Sequence, residues 1–238
     1  MEGDCFQDDF VAPACHDEIN ILFQDEHLLL IVKPSGLLSL SGKSPLNKDS
    51  VHYRLVREFP SATMVHRLDF GTSGLMIVAL NKKVSAHLSK QFEARTVIKY
   101  YEAILDGILS VSEDENMKGK TIGSNIFGGK INLPIAKDSF PRLKICKKTG
   151  KNSLSFYRVL NQDIDRKTTR VKFLPETGRT HQLRIHSQAI GHPILGCDLY
   201  GSPRTHNAAT RLLLHATGLE FEHPYTGKQI KIDSPCPF

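Results

Sequence analysis

Apolar positions along this chain fall mostly in short runs and alternations, the signature of strands, with a few fourfold spacings that mark helices. Ile19 to Phe23 and Leu28 to Val32 flank an acidic turn at Asp25-Glu26 and predict a hairpin. Lys33-Pro34 ends its second strand, since proline lacks a ladder donor, and Ser35-Gly36 turns the chain. After a polar loop over 39–49, Asp49 or Ser50 caps a helix with Val51, Leu55 and Val56, stopping before Pro60. Leu75 to Leu80 is an unbroken apolar run, predicting a strand buried on both faces. Asn81 then caps a helix whose Val84, Leu88 and Phe92 share one face, with Lys82, Lys83, Lys90 and Arg95 outside. The stretch Val97 to Leu105 alternates, placing Val97, Lys99, Tyr101, Ala103 and Leu105 on one side of a strand closed by Asp106-Gly107.

Periodicity weakens over 108–152, where Ser112 to Lys120 is charged and 123–130 is rich in Gly and Asn. Irregular hairpins are the expectation there. Two antiparallel strands return at Leu154 to Leu160 and Thr169 to Pro175. Thr180 is placed to cap a helix that runs to about Ile190 and is ended by Gly191. Arg211 to Phe221 and Gln229 to Asp233 supply the last strands. Residues 1–18 are polar and patternless, a loosely held tail, which leaves 19–238 for one domain.

Composition narrows this little. The net charge of +6 over 238 residues suits a polyanionic partner without requiring one. No run is long and apolar enough to span a membrane, and the N-terminus lacks the basic region of a signal peptide. The five cysteines are scattered, with no Cys-x-x-Cys pair, which points to free thiols and the cytoplasm. His181 and His186 stand five apart, not the four that stack two ligands on a helix, and no metal is expected.

The candidate chemistry sits just before the buried strand. His66, Arg67 and Asp69 are packed together and followed by Gly71-Thr72-Ser73-Gly74. Charges set against a core strand are costly unless paired or used. An Asp beside Gly commonly bonds nearby backbone amides, so spacing alone favours a plain turn.

His66-Arg67-Leu68-Asp69 followed by Thr72-Ser73-Gly74 resembles the signature of the RluA-type pseudouridine synthases, which modify RNA. Lys33-Pro34-Ser35-Gly36-Leu37 upstream and Thr177-Gly178-Arg179-Thr180-His181-Gln182-Leu183-Arg184-Ile185-His186 downstream match two further motifs of that family. The likeness runs from about Ile19 to near the C-terminus and is greatest to the compact RluA branch. It implies an α+β fold, with a mixed, mostly antiparallel central sheet, flanking helices and loops, and a cleft across the sheet. It also implies conversion of uridine to its C-linked isomer, without cofactor or metal, in stem-loops of large-subunit ribosomal RNA, in tRNA anticodon loops, or in both. Compact relatives that act on other tRNA or ribosomal RNA positions share the same motifs, so that alternative stays open.

Site roles follow from the same resemblance. Asp69 is the nucleophile, and Arg184 pairs with its carboxylate through two parallel hydrogen bonds. Arg67 fills the stack vacated by a flipped base, while Tyr101, rather than Tyr100, stacks on the uracil and is a candidate to assist proton removal from C5. His66 supports the motif by hydrogen bonding, and Ile185 forms an apolar pocket wall. Lys33 and Arg179 are candidates to contact phosphates; for the basic run from Arg142 to Lys151 the residues leave two readings open, a phosphate contact or a solvated surface. Relatives carry Asp directly after the glycine corresponding to Gly196; here Cys197 intervenes and Asp198 follows, so no role is given to that acid. A monomer is expected. Two other readings stay open: an RNA-binding protein of the same fold without chemistry, and a carboxylate hydrolase acting on nucleosides or sugars. The hydrolase lacks an evident second acid.

Overall fold

A computed structural model describes residues 10–110 and 119–238. In chain order the strands are β1 Asn20–Gln24, β2 Leu28–Lys33, β3 Thr63–Met64, β4 Ser73–Ala79, β5 Ile98–Asp106, β6 Lys120–Ile122 and β7 Asn125–Phe127. They continue with β8 Gly129–Asn132, β9 Ile135–Lys137, β10 Leu143–Ile145, β11 Leu154–Asp163, β12 Thr168–Pro175, β13 Leu214–Glu222 and β14 Gln229–Asp233. The helices are α1 Val51–Leu55, α2 Lys82–Ala94, α3 Gln182–Ala189 and α4 Pro203–Asn207, with a 3-10 turn at Pro45–Asn47.

Ten strands form one sheet in the order β1-β2-β4-β13-β5-β12-β11-β8, with β14 beside β13 and β3 beside β4. Every adjacent pair in it is antiparallel except β4 and β13, which run parallel over two residue pairs, Ser73 with His215 and Gly74 with Ala216. The fold is therefore α+β, with a mixed and mostly antiparallel sheet.

All seven residues of β4 are buried. Leu75, Ile77 and Ala79 pack with Val84 and Leu88 of α2, while Met76 and Val78 pack with Val51 and Leu55 of α1. Each such buried aliphatic side chain contributes roughly 1.5–3 kcal/mol of transfer free energy. Two of the three predicted caps form: the Ser50 hydroxyl accepts from Tyr53 N–H, and the Asn81 side chain accepts from Val84 N–H. Thr180 does not cap α3. His181 stands at that helix's N-terminus with no side-chain cap, and Gln182 organises the approach, accepting from the Thr177 hydroxyl and the Arg179 amide.

The irregular stretch resolves into the hairpins β6–β7 and β9–β10, each a separate two-stranded sheet, while β8 joins the main sheet at β11. Most of the charged segment Ser112 to Lys120, and residues 1–9 of the expected tail, lie outside the described residues. Residues 10–18 are pinned rather than loose. Asn47 bonds the Phe10 carbonyl and the Ala12 amide, and Arg54 donates to the Cys15 and Asp17 carbonyls. Among the described residues no helix is long and apolar enough to cross a membrane.

Candidate active site

A cleft of about 550 Å³ crosses the sheet where its two parts join, lined by His66, Arg67, Asp69, Tyr101, Arg179, His181 and Arg184, among others. Asp69 stands in the loop before β4, and the upstream Lys33–Ser39 segment clamps that loop's backbone. Gly36 N–H and Lys33 Nζ both donate to the Phe70 carbonyl, at 3.0 and 3.2 Å. The Ser35 hydroxyl donates to the Gly71 carbonyl at 2.7 Å, while Ser39 donates to the Leu68 carbonyl and accepts its amide. The Asp69 carbonyl accepts from Thr72 N–H. Its carboxylate, by contrast, makes no hydrogen bond or ion pair among the described residues. The reading of Asp69 as a backbone-bonding turn residue therefore fails.

Lys33 is not at the surface. It is fully buried, its Nζ donating to the carbonyls of Pro34, Leu37 and Phe70, and burial pushes it down to about 7. Those three acceptors match the three protons of an ammonium, and the Asp69 charge favours that form. An amine so enclosed cannot reach a phosphate; its place is beneath the Asp69 loop. His66 behaves as expected: Nε2 accepts Ile77 N–H at 2.9 Å, and the ring stacks on Phe92 at 4.6 Å. Burial, with a smaller push from Lys99, lowers it to about 3, so it is a neutral acceptor that fixes the loop to β4.

The alternation of β5 sends Tyr101 to the cleft and Tyr100 to the opposite face, packed with Phe127. Burial first, and then the Asp69 charge, drive the Tyr101 phenol well above its ordinary value, so it stays protonated at neutral pH. Arg67 is exposed on the cleft lining, and Arg179 is half-buried there, donating to the Asn152 carbonyl at 3.3 Å.

Arg184 does not meet Asp69 in the expected paired geometry. Its Nη2 pairs with the Asp198 carboxylate, and its Nε and Nη2 both lie 3.4 Å from Cys197 Sγ. Its guanidinium also lies 5.3 Å from the Tyr200 ring centre. Burial opposes the Arg184 charge, but Cys197, Asp198 and Asp69 outweigh it and raise the guanidinium above its usual value. Asp198, one place away from the family's position, thus has a role the sequence reading withheld. Cys-Asp-Leu-Tyr-Gly gave no spacing signal for it, because the contact spans a loop.

Ile185 is no pocket wall. It is 1% exposed and packs with Leu183 and Ile194 in the core, while Leu68, Phe92, Pro175 and Leu214 supply the apolar lining. Successive helical residues point about 100° apart, so when Arg184 faces the cleft its neighbour turns inward. Among the described residues no three His, Cys, Asp or Glu side chains gather as a metal site.

The sequence model of RNA pseudouridylate synthase matches residues 27–189, which span all three motifs. The chain is 44% identical over 220 residues to the dual-specificity RNA pseudouridine synthase RluA of Yersinia pestis, covering 92% of this chain and 99% of that protein. It is 41% identical to the RluA of Escherichia coli (strain K12), covering 92% and 93%. Among solved structures, human RNA pseudouridylate synthase domain containing 1 superposes with a TM-score of 0.74 at 27% identity, covering 95% of this chain and 86% of that one. Human RNA pseudouridylate synthase domain containing 4, with a TM-score of 0.67 at 21% identity over 92% and 88%, supports the fold alone. With the motifs folded around one cleft and the match running across them, this chain belongs to the RNA pseudouridylate synthase family, in its RluA branch.

Proposed function

We propose that this chain isomerises uridines in stem-loops of both large-subunit ribosomal RNA and tRNA anticodon arms, as a cytoplasmic monomer whose residues 19–238 form one catalytic unit. The observation that carries the reading is the Asp69 carboxylate, without a hydrogen-bond or ion-pair partner among the described residues while its loop's backbone is bonded on either side, in a cleft. A carboxylate kept idle for mere binding has no need of such a clamp. The dual range is suggested by relatives that are named dual-specificity and that align over 92% of this chain.

Asp69 attacks the target nucleotide, the bond between ribose C1′ and N1 breaks, and the base turns within the cleft. C5 then bonds to C1′ as the bond that Asp69 made is released and its carboxylate re-forms; the C5 hydrogen leaves as a proton and N1 gains one, so the step is redox-neutral. Extruding the base costs a few kcal/mol, less in a loop than in a duplex. Arg67, exposed on the cleft lining, enters the vacated stack. Tyr101 stacks on the uracil, which is worth roughly 1–3 kcal/mol. Arg184 brings positive charge to the same cleft, and Arg179 takes a phosphate.

Tritium release from RNA labelled at uridine C5 tests this directly, with ribosomal and tRNA transcripts offered separately. Wild type releases tritium from both, and Asp69→Ala from neither, while both proteins bind RNA with similar affinity. RNA binding without release by wild type would mark a non-catalytic module, and free uracil in the medium would mark a hydrolase. Release from one transcript class alone overturns the dual range.

A further inference from the structure

His181 lines the cleft in the left-handed backbone region, with φ of +56°. Residues with a side chain seldom adopt that conformation unless the surrounding structure holds them there, and such residues gather at functional sites. Nothing in the helix requires it, since the His181 side chain does not cap α3.

The ring is tied on one side only. Nδ1 lies 2.8 Å from the Tyr200 hydroxyl, and the same hydroxyl accepts the Leu143 amide of β10 at 3.0 Å. The Leu143 amide can only donate. Tyr200 is 4% exposed, so an unused phenol proton there would be a buried donor without an acceptor. Giving that proton to His181 Nδ1 satisfies all three groups, and an imidazole that accepts at Nδ1 carries its own hydrogen on Nε2. Nε2 has no hydrogen-bond partner among the described residues. Burial lowers His181 below its ordinary value against the opposing pull of the Asp69 charge, so the ring is neutral at pH 7.

A neutral N–H beside Asp69 and Tyr101 suits a neutral amide carbonyl, while phosphates are better served by Arg67 and Arg179 in the same cleft. We propose that Tyr200 holds His181 as its Nε2–H tautomer and that His181 donates this hydrogen bond to a carbonyl oxygen of the uracil in the cleft. The proposal rests on the reading of this cleft as a uridine site. It makes His181 a substrate-touching residue and Tyr200 the residue that positions it.

The test uses RNA whose target nucleotide is uridine, 2-thiouridine or 4-thiouridine, since sulfur is a poor acceptor at the same place. Single-turnover rates are read by chromatography of the digested RNA, for wild type and for His181→Gly, which removes the donor and tolerates the left-handed backbone. One of the two thio substitutions slows wild type at least about tenfold and changes the His181→Gly rate by less than about twofold. Equal thio effects in both proteins, or none in wild type, overturn the proposal. Failure of wild type on unmodified uridine would instead remove the underlying uridine reading. Nitrogen-15 NMR of the wild-type histidines reads the tautomer without any variant: Nε2–H is expected, becoming a mixture in Tyr200→Phe, and an Nδ1–H signal in wild type refutes the assignment.

Discussion

Arg184 reaches the cleft on a tether made by Asp198, Cys197 and Tyr200, and this tether sets where its charge lies. The Arg184 side chain is 5% exposed and that of Asp198 61%, so the pair is half in water and its strength is moderated by screening. What the carboxylate supplies is position. Asp198→Ala is expected to lower the single-turnover rate by about tenfold to a hundredfold, since small misplacements in a site cost that much, with RNA affinity changed far less. An unchanged rate would show that the guanidinium finds its place unaided. Side-chain direction was legible where it follows from local geometry: the family resemblance picks Tyr101 over Tyr100, and strand alternation sends the two to opposite faces. It was illegible where distant packing decides. Lysine is seldom fully buried, so Lys33 reads as a surface cation, yet the carbonyls of Pro34, Leu37 and Phe70 enclose it.

At the scale of elements, Gly74 belongs to strand β4 rather than to the turn its sequence suggests. Its φ is +116°, and a Cβ there would stand 2.3 Å from the Ala216 carbonyl oxygen of β13. Gly74→Ala should cost about 2–5 kcal/mol, combining backbone strain with overpacking; urea denaturation showing less than about 1 kcal/mol would contradict this. The same elements impose a pH dependence. Burial lowers His66 to about 3 and His215 to about 4, from 6.5 in the open chain. Between those values the unfolded chain binds protons that the folded one refuses, so the stability these two rings carry is full above pH 6.5 and is lost on acidification. The slope reaches at most about 1.4 kcal/mol per pH unit for each histidine. Urea titrations from pH 7.5 down to 4.5 read it, and a flat profile would mean the rings admit protons in place. Long strands and the caps at Ser50 and Asn81 were readable in the sequence because period and cap chemistry are local, whereas the start of α3, organised by Gln182, was not. Over 120–145 hairpins were expected, but not their bounds, because each short pair offers too few apolar positions to set a period.

For the whole molecule, the charge of +6 acquires meaning only with the cleft in place. Lys147 and Lys148 are exposed beside β10, whose Leu143 amide bonds Tyr200 and so lies one residue from the cleft lining. If they meet RNA phosphates, each replacement by Ala should reduce the slope of log affinity against log salt by about 0.7, read by filter binding across salt concentrations. An unaltered slope would make them ordinary surface lysines. The groups proposed to act on the uridine are divided across the molecule. Asp69 hangs from β4, while Tyr101, His181 and Arg184 belong to the part that begins at β5, and between β4 and β13 only two residue pairs carry the ladder. His215 reinforces that seam, bonded to Ser73 on one ring nitrogen and Ser234 on the other. Activity is in this sense a readout of assembly: a slip at the seam would carry Asp69 away from Tyr101 and Arg184 and silence the enzyme.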